Sequence, residues 1–283
     1  MAVDIFGEIS IIIVIATAIA VLMRLLKQPL VIGYILTGLF VGSAVLNLIQ
    51  PTETITTFSQ IGIAFLLFIV GLGLSPKVIR EVGKVSVVTG VGQVIFTSLI
   101  GFFIARFLGF SPITSIYIAM ALTFSSTIII MKLLSDKRDL ESLYGKITVG
   151  FLIVQDIIAV IILLVISSFA NKHTFTDIIT VTLANGLLLT GIFLFLVSFL
   201  LPKLGNFFAK SQEFLFLFSI SLGLGMATLS HYLGFSLEIG ALIAGVALSM
   251  TPYSYEVSSK MRPLRDFFII IFFIVLGSQI SLT

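Results

Sequence analysis

Long apolar runs, parted by short clusters of charged residues, make up most of the chain. Ten of them can be delimited: Ile5–Leu26, Leu30–Ile49, Ile55–Leu74, Val85–Leu108, Pro112–Leu134, Ile147–Phe169, Ile178–Leu201, Phe214–Leu233, Phe235–Met250 and Phe267–Leu282. A helix needs about 20 apolar residues to cross a bilayer, and most of the runs meet that length. The ninth is short and follows the eighth with almost no link. Strands of a membrane barrel would alternate apolar and polar residues over about ten positions. Runs such as IIIVIATAIAVLM do not alternate. The pattern predicts an all-α polytopic membrane protein. The first run is kept as a span and not a signal peptide, because Asp4 and Glu8 precede or open it while Arg24 and Lys27 follow it.

Composition strengthens this reading. Hydrophobic residues make up 58% of the 283 and charged residues only 10%, against about 25% charged in a soluble domain. Mean hydropathy is +1.23. So few charges could not coat a water-facing surface, which excludes a soluble enzyme, a nucleic-acid binder and a disordered chain. With 0 Cys there is no disulfide, thiol chemistry or Cys-ligated metal. No cofactor motif is present. The placement of charge matters more than the small net charge of +3. Alternate loops hold fourteen Lys and Arg in one set, from Arg24 and Lys27 through to Lys260, Arg262 and Arg265, and only Arg106 and Lys172 in the other. The positive-inside rule puts the rich set in the cytoplasm and the amino terminus outside.

The runs also repeat. IGYILTGLFVGS from Ile32 matches IGALIAGVALSM from Ile239, with Gly33, Gly38 and Gly42 against Gly240, Gly245 and Ser249 at an offset of 207. FLLFIVGLGLS from Phe65 matches IFFIVLGSQIS from Ile271, with Gly71 against Gly277 and Ser75 against Ser281 at an offset of 206. Small residues recur in apolar helices for packing reasons alone, so chance is the competing account. Seven spans separate the copies, an odd number, so they run in opposite directions through the membrane. Inverted repeats are a feature of secondary transporters. In this scheme residues 1–169 form a first repeat of six spans, residues 170–212 a connecting span, and residues 213–283 the first three spans of a second repeat. The chain is expected to be a fragment of a thirteen-span protein or a natural short form.

One acid stands inside a run. Asp156 lies in GFLIVQDIIAVIILL, ten residues past Lys146, or about 15 Å along a helix. An Asp at the centre of a span costs about 2.5–3.5 kcal/mol on translocon scales. It is read as a binding site for a proton or a monovalent cation, held transiently, or as a neutral acid bonded to a neighbouring helix. Gln155 beside it either orients this site or bonds a nearby backbone. In the preceding run TFSSTIII clusters Thr123, Ser125, Ser126 and Thr127. Hydroxyls can satisfy backbone groups freed where a helix unwinds, and an unwound helix offers carbonyls and dipole ends to an ion. Ordinary polar packing is the other reading. The cluster and Asp156 lie at similar depth. The GxxxG of Gly38 and Gly42 is read as packing, Glu238 as an interfacial anchor, and His231 and the segment Lys137–Glu141 as solvated.

The segments VIGYILTGLFVGS, QIGIAFLLFIVGLGL, ALTFSSTIIIMKLL, GFLIVQDIIAV, EIGALIAGVALS and RPLRDFFIIIFFIVLGSQI resemble, in order along nearly the whole chain, the Kef-type branch of the monovalent cation:proton antiporter-2 family. The resemblance implies an inverted-repeat antiporter fold with discontinuous helices, of which about 10 of 13 spans are present. It implies a dimerisation panel joined to a mobile core, and a homodimer in the bilayer. It carries the ion-binding acid onto Asp156, its neighbour onto Gln155, and the broken-helix polar residues onto Ser125, Ser126 and Thr127. The second broken helix, a basic partner before it, and the nucleotide-binding domain of many Kef-like proteins would fall beyond Thr283. The activity it implies is exchange of K⁺ or Na⁺ for H⁺ by alternating access. With one acid carrying either ion, exchange is expected to be one-for-one and electroneutral. A K⁺ efflux channel or a ligand-gated efflux system is the alternative within transport, and a non-transporting membrane subunit the alternative outside it. Intramembrane proteolysis lacks a second membrane acid, and no His lies at the depth of Ser125 or Ser126.

Overall fold

A computed structural model of the chain describes residues 5–42, 46, 53–74, 76–171, 175–203 and 211–280. Ser75 and Ser281 of the repeat, and the loop lysines Lys172 and Lys210, lie outside the described residues. Within them the regular structure is all helical. The helices are α1 (Ile5–Leu25), α2 (Leu30–Val41), α3 (Glu53–Gly73), α4 (Pro76–Phe107), α5 (Pro112–Thr123), α6 (Thr127–Lys137), α7 (Leu143–Asn171), α8 (Phe175–Phe195), α9 (Gln212–Tyr232), α10 (Leu237–Ser249) and α11 (Ser254–Ser278). A π-helical turn, Leu196–Leu200, continues α8. Each apolar run coincides with one helix, except that α5 and α6 share the fifth.

Six segments are long and apolar enough to cross a membrane: Phe6–Leu25, Glu53–Gly73, Arg80–Phe107, Pro112–Lys137, Thr180–Lys203 and Gln212–Tyr232. Two apolar helices are short, α2 with 12 residues and α10 with 13. At 1.5 Å per residue they cover about 18–20 Å, less than a hydrocarbon core. They are the two matched members of the repeat. Ser236 caps α10 by accepting from the Ile239 amide, and Gly234 at φ +82° makes the tight turn from α9.

Two boundaries differ from the expectation. The tenth run was read from Phe267, but α11 starts at Ser254 and carries Lys260, Arg262 and Arg265 on its first turns. These turns are amphipathic, with Val257, Met261 and even Arg265 buried, so hydropathy alone breaks the helix where its charges begin. For the same reason α4 starts at Pro76 and not at Val85.

The packing falls into two bodies. In the first, α3 packs on α10 and α11, α2 on α1 and α11, and α9 on α10. Helix α3 is its centre: every residue from Gly62 to Leu72 is buried, as expected of a helix apolar on all faces. In the second body α4 packs on α5 and α7. Its outward surface, including Val88, Phe96 and Phe103, is apolar and exposed, as lipid requires.

The glycines of the repeat make the closest contacts in the first body. A β-carbon at Gly38 would meet the Ile274 carbonyl, and one at Gly277 the Ile35 carbonyl. A β-carbon at Gly245 would meet the Phe68 carbonyl, and one at Gly71 the Leu242 carbonyl. The offsets of 207 and 206 convert the first pair of contacts into the second, residue for residue. Gly62 abuts Phe268, its own counterpart at an offset of 206. The repeated segments therefore pack on one another with two-fold equivalence, and the α3–α11 crossing lies on the axis.

A polar cluster, with Lys132 and Arg265 buried and Asp136 and Asp266 more exposed, links α6 to α11. Lys132 Nζ of α6 lies 2.7 Å from Asp136 and 3.7 Å from Asp266 of α11. The Arg265 guanidinium bonds Asp266 at 2.9 Å and donates to Ser135 Oγ at 3.0 Å. A cavity of about 790 Å³ opens here, bordered by Asp136, Arg138, Lys146, Arg262 and Asp266 among others.

Candidate ion site at a broken helix

Helix α5 ends at Thr123 and α6 begins at Thr127, leaving Phe124, Ser125 and Ser126 outside helical geometry. The local sequence favours this break. Phe124 and Ser126 adopt extended dihedrals, with ψ 124° and 103°. The Ser126 hydroxyl accepts from the Ile129 amide at 3.4 Å and so caps α6, the role for which serine is favoured. The Thr123 hydroxyl donates back to the Ala119 carbonyl at 2.7 Å and meets Ser98 Oγ at 2.8 Å. The break falls at the middle of the Pro112–Lys137 segment, and Asp156 falls at the middle of α7.

The two midpoints meet. Thr127, the first residue of α6, has its hydroxyl 3.1 Å and 3.2 Å from the two oxygens of Asp156. A hydroxyl has one hydrogen to donate, so the two carboxylate oxygens share it. The N-terminus of a helix carries partial positive charge from its unpaired amides, which suits a carboxylate. Asp156 is part buried.

Gln155 points elsewhere and is fully buried. Its Oε1 accepts from the Ser125 amide at 3.3 Å, and its Nε2 donates to the Thr123 carbonyl at 2.9 Å and to Gln93 Oε1 at 2.8 Å. Gln93 of α4 in turn donates to the same Thr123 carbonyl at 3.1 Å and to Thr97 Oγ1 at 3.2 Å. Of the expected residues, Thr127 is thus brought to Asp156, while Thr123 and the Ser125 backbone are brought to Gln155. The Ser125 and Ser126 side chains are exposed, and the Ser125 hydroxyl has no hydrogen bond among the described residues. Gln93 was not foreseen. An amide nine residues past Lys84, in the middle of an apolar span, is the signal that could have found it.

Among the described residues no three His, Cys, Asp or Glu side chains gather as a metal site. The Asp156 carboxylate and the Thr127 hydroxyl are hard oxygen donors, which suit a proton or an alkali cation and not a soft metal. Hard oxygen donors do not separate Na⁺ from K⁺.

The model of the family described as "Sodium/hydrogen exchanger, transmembrane" matches residues 11–283. K(+) efflux antiporter 5 of Arabidopsis thaliana is 28% identical over 97% of this chain and 50% of its own length. Glutathione-regulated potassium-efflux system protein KefC of Salmonella arizonae is 30% identical over 89% of this chain and 41% of its own. Probable Na(+)/H(+) antiporter GerT of Bacillus cereus is 26% identical over 90% and 68%. The chain spans about half the length of the plant antiporters it matches. A polytopic helical membrane domain whose sequence matches this family model from Ile11 to its last residue belongs to the sodium/hydrogen exchanger transmembrane family, a family of transporters, and within it resembles the Kef-type branch.

Proposed function

We propose that this chain is the ion-carrying part of an exchanger of K⁺ or Na⁺ for H⁺, and that Asp156 is the group that carries both. The observation that supports this most directly is the Thr127 hydroxyl on the Asp156 carboxylate at the midpoint of a broken helix. One carboxylate cannot hold a proton and ligate a desolvated cation at once, so the two compete. Each replaces the other with the same charge, which makes the exchange one-for-one and electroneutral. The Thr127 hydroxyl serves both states: it donates to the anion, and its oxygen can turn to a cation or to the proton of the acid.

The two packing bodies support a reading of alternating access. The interlocked body of α1–α3 and α9–α11 acts as the scaffold, and the body of α4–α7 moves against it. The Lys132 and Arg265 cluster and its cavity lie on that boundary, on the side the basic residues assign to the cytoplasm, with the amino terminus outside. A second copy packs on the scaffold body.

The test is exchange by the full-length protein in sealed liposomes, comparing wild type with Asp156→Asn. Asn keeps the shape but cannot ionise, and insertion survives because a membrane charge is removed. The expected result is loss of cation-dependent proton movement with undiminished insertion. Wild-type exchange by Asp156→Asn, or cation flux through the wild type without proton movement, would overturn the reading.

A further inference from the structure

We propose that Gln93 of α4 is a positioning residue for the ion site: it sets cation affinity by holding the broken helix, without touching the cation. This rests on the reading of Asp156 as the ion-carrying group and adds to it the element that holds the site in shape.

The argument is a closed count of hydrogens and lone pairs. Each amide nitrogen has two hydrogens. Those of Gln155 go to Gln93 Oε1 and to the Thr123 carbonyl. Those of Gln93 go to the Thr123 carbonyl and to Thr97 Oγ1. The Thr123 carbonyl, the last of α5, therefore receives two donors for its two lone pairs and is withdrawn from any ion. The oxygen of Gln155 is committed to the Ser125 amide. Only one orientation of Gln155 satisfies this arrangement. Turning it over would face its oxygen to two acceptors and its NH₂ to the Ser125 amide. The Thr123 carbonyl and the Ser125 amide set that orientation, and Gln93 completes it by supplying the acceptor for the second Gln155 hydrogen.

The consequence reaches Asp156 by two short routes. Gln155 is its neighbour on α7, so a fixed Gln155 fixes that turn. The Ser125 amide belongs to the segment that leads into Thr127, whose hydroxyl meets the carboxylate. Removing Gln93 leaves a fully buried Gln155 amide with an unpaired hydrogen. A buried polar group without its partner is the costly case, and a shift of the Gln155 side chain towards another acceptor is the relief open to it. That shift loosens its hold on the Thr123 carbonyl and the Ser125 amide. Networks of this kind lose more than one bond when one member goes.

The test uses purified full-length protein and titrates KCl, and separately NaCl, at constant ionic strength, reading the melting temperature. The wild type is expected to rise in melting temperature with K⁺ or Na⁺, and Asp156→Asn is expected to lose that response. Gln93→Met, of similar length but without the amide, is expected to shift the half-maximal cation concentration upward about tenfold. A purely structural Gln93 would lower the melting temperature in the absence of cation and leave the half-maximal concentration unchanged. That result, within twofold of wild type, would overturn the proposal while leaving the Asp156 site standing. No cation response in the wild type, or a full one in Asp156→Asn, would instead overturn the site reading itself. If Gln93→Met does not accumulate, Gln93→Asn takes its place. Its amide falls one methylene short of its partners, and the same upward shift, about threefold, is expected, with an unchanged concentration counting against the proposal.

Discussion

A carboxylate in the middle of an apolar helix needs partners that water would otherwise supply. Asp156 has one described partner, the Thr127 hydroxyl, shared between its two oxygens. A hydrogen bond to a charged group is worth about 1.5–3 kcal/mol, or roughly one to two powers of ten in an equilibrium constant. Thr127→Val keeps the shape and removes the hydroxyl, so the cation concentration giving half-maximal exchange should rise by about tenfold or more. Thr127→Ser restores the hydroxyl and should bring it back close to wild type. The two variants separate the bond from the bulk of the side chain. Ser126 acts differently: its oxygen serves the amide of Ile129, and its part is in starting α6.

At the scale of elements, the short helices α2 and α10 lie against α11 and α3 through glycines. Each of Gly38, Gly71, Gly245 and Gly277 faces a carbonyl that leaves no room for a β-carbon. A backbone neighbour cannot rotate away as a side chain can, so an added methyl must push helices apart, at about 1–3 kcal/mol. Gly245→Ala should therefore lower the melting temperature clearly, and Gly38→Ala by a similar amount, because their contacts are equivalent. Gly225→Ala, on α9 with nothing within 4 Å of an added β-carbon, should leave it unchanged. Thermal unfolding of the purified variants measures all three. Unequal losses at Gly38 and Gly245 would speak against the two-fold equivalence. The matched glycines were legible in the chain because close helix approach demands small residues at a fixed spacing, and equivalent approaches demand it twice.

At the scale of the whole molecule, the charges order the arrangement. Arg138 ends α6 in the left-handed conformation at φ 61°, on the side that carries the rich set of basic residues. The chain has no cysteine, so a single cysteine reports its own position. Arg138→Cys should stay unlabelled by a membrane-impermeant thiol reagent added to intact cells and become labelled once the membrane is opened. Labelling from outside would reverse the proposed orientation. The Lys132, Asp136, Arg265 and Asp266 cluster belongs to this scale as well, because it joins α6 to α11. Arg265 counts in the chain as one of the loop charges, and only the fold joins it with Lys132, Asp136 and Asp266.

The helical character of the chain, its ten runs, the polar interruption in the fifth, and the acid in the sixth all follow from local pattern. Each is a statement about one segment and its solvent: lipid excludes charge and unpaired backbone, so whatever departs from apolar helix stands out. The start of α11 escaped the same reasoning, because its first turns are amphipathic, burying Val257, Met261 and Arg265 while Arg262 stays exposed. The pairing of Thr127 with Asp156 could be suspected from equal depth, but depth does not say which helix faces which. Gln93 shows the limit most plainly. An isolated amide in an apolar span has many possible partners, and its meaning depends on α4 lying against both α5 and α7. That contact joins residues 30 and 62 positions apart, and no local periodicity encodes it. The segments carry their own conformation and solvent preference; the hydrogen-bond network around the broken helix exists only once the three helices are packed.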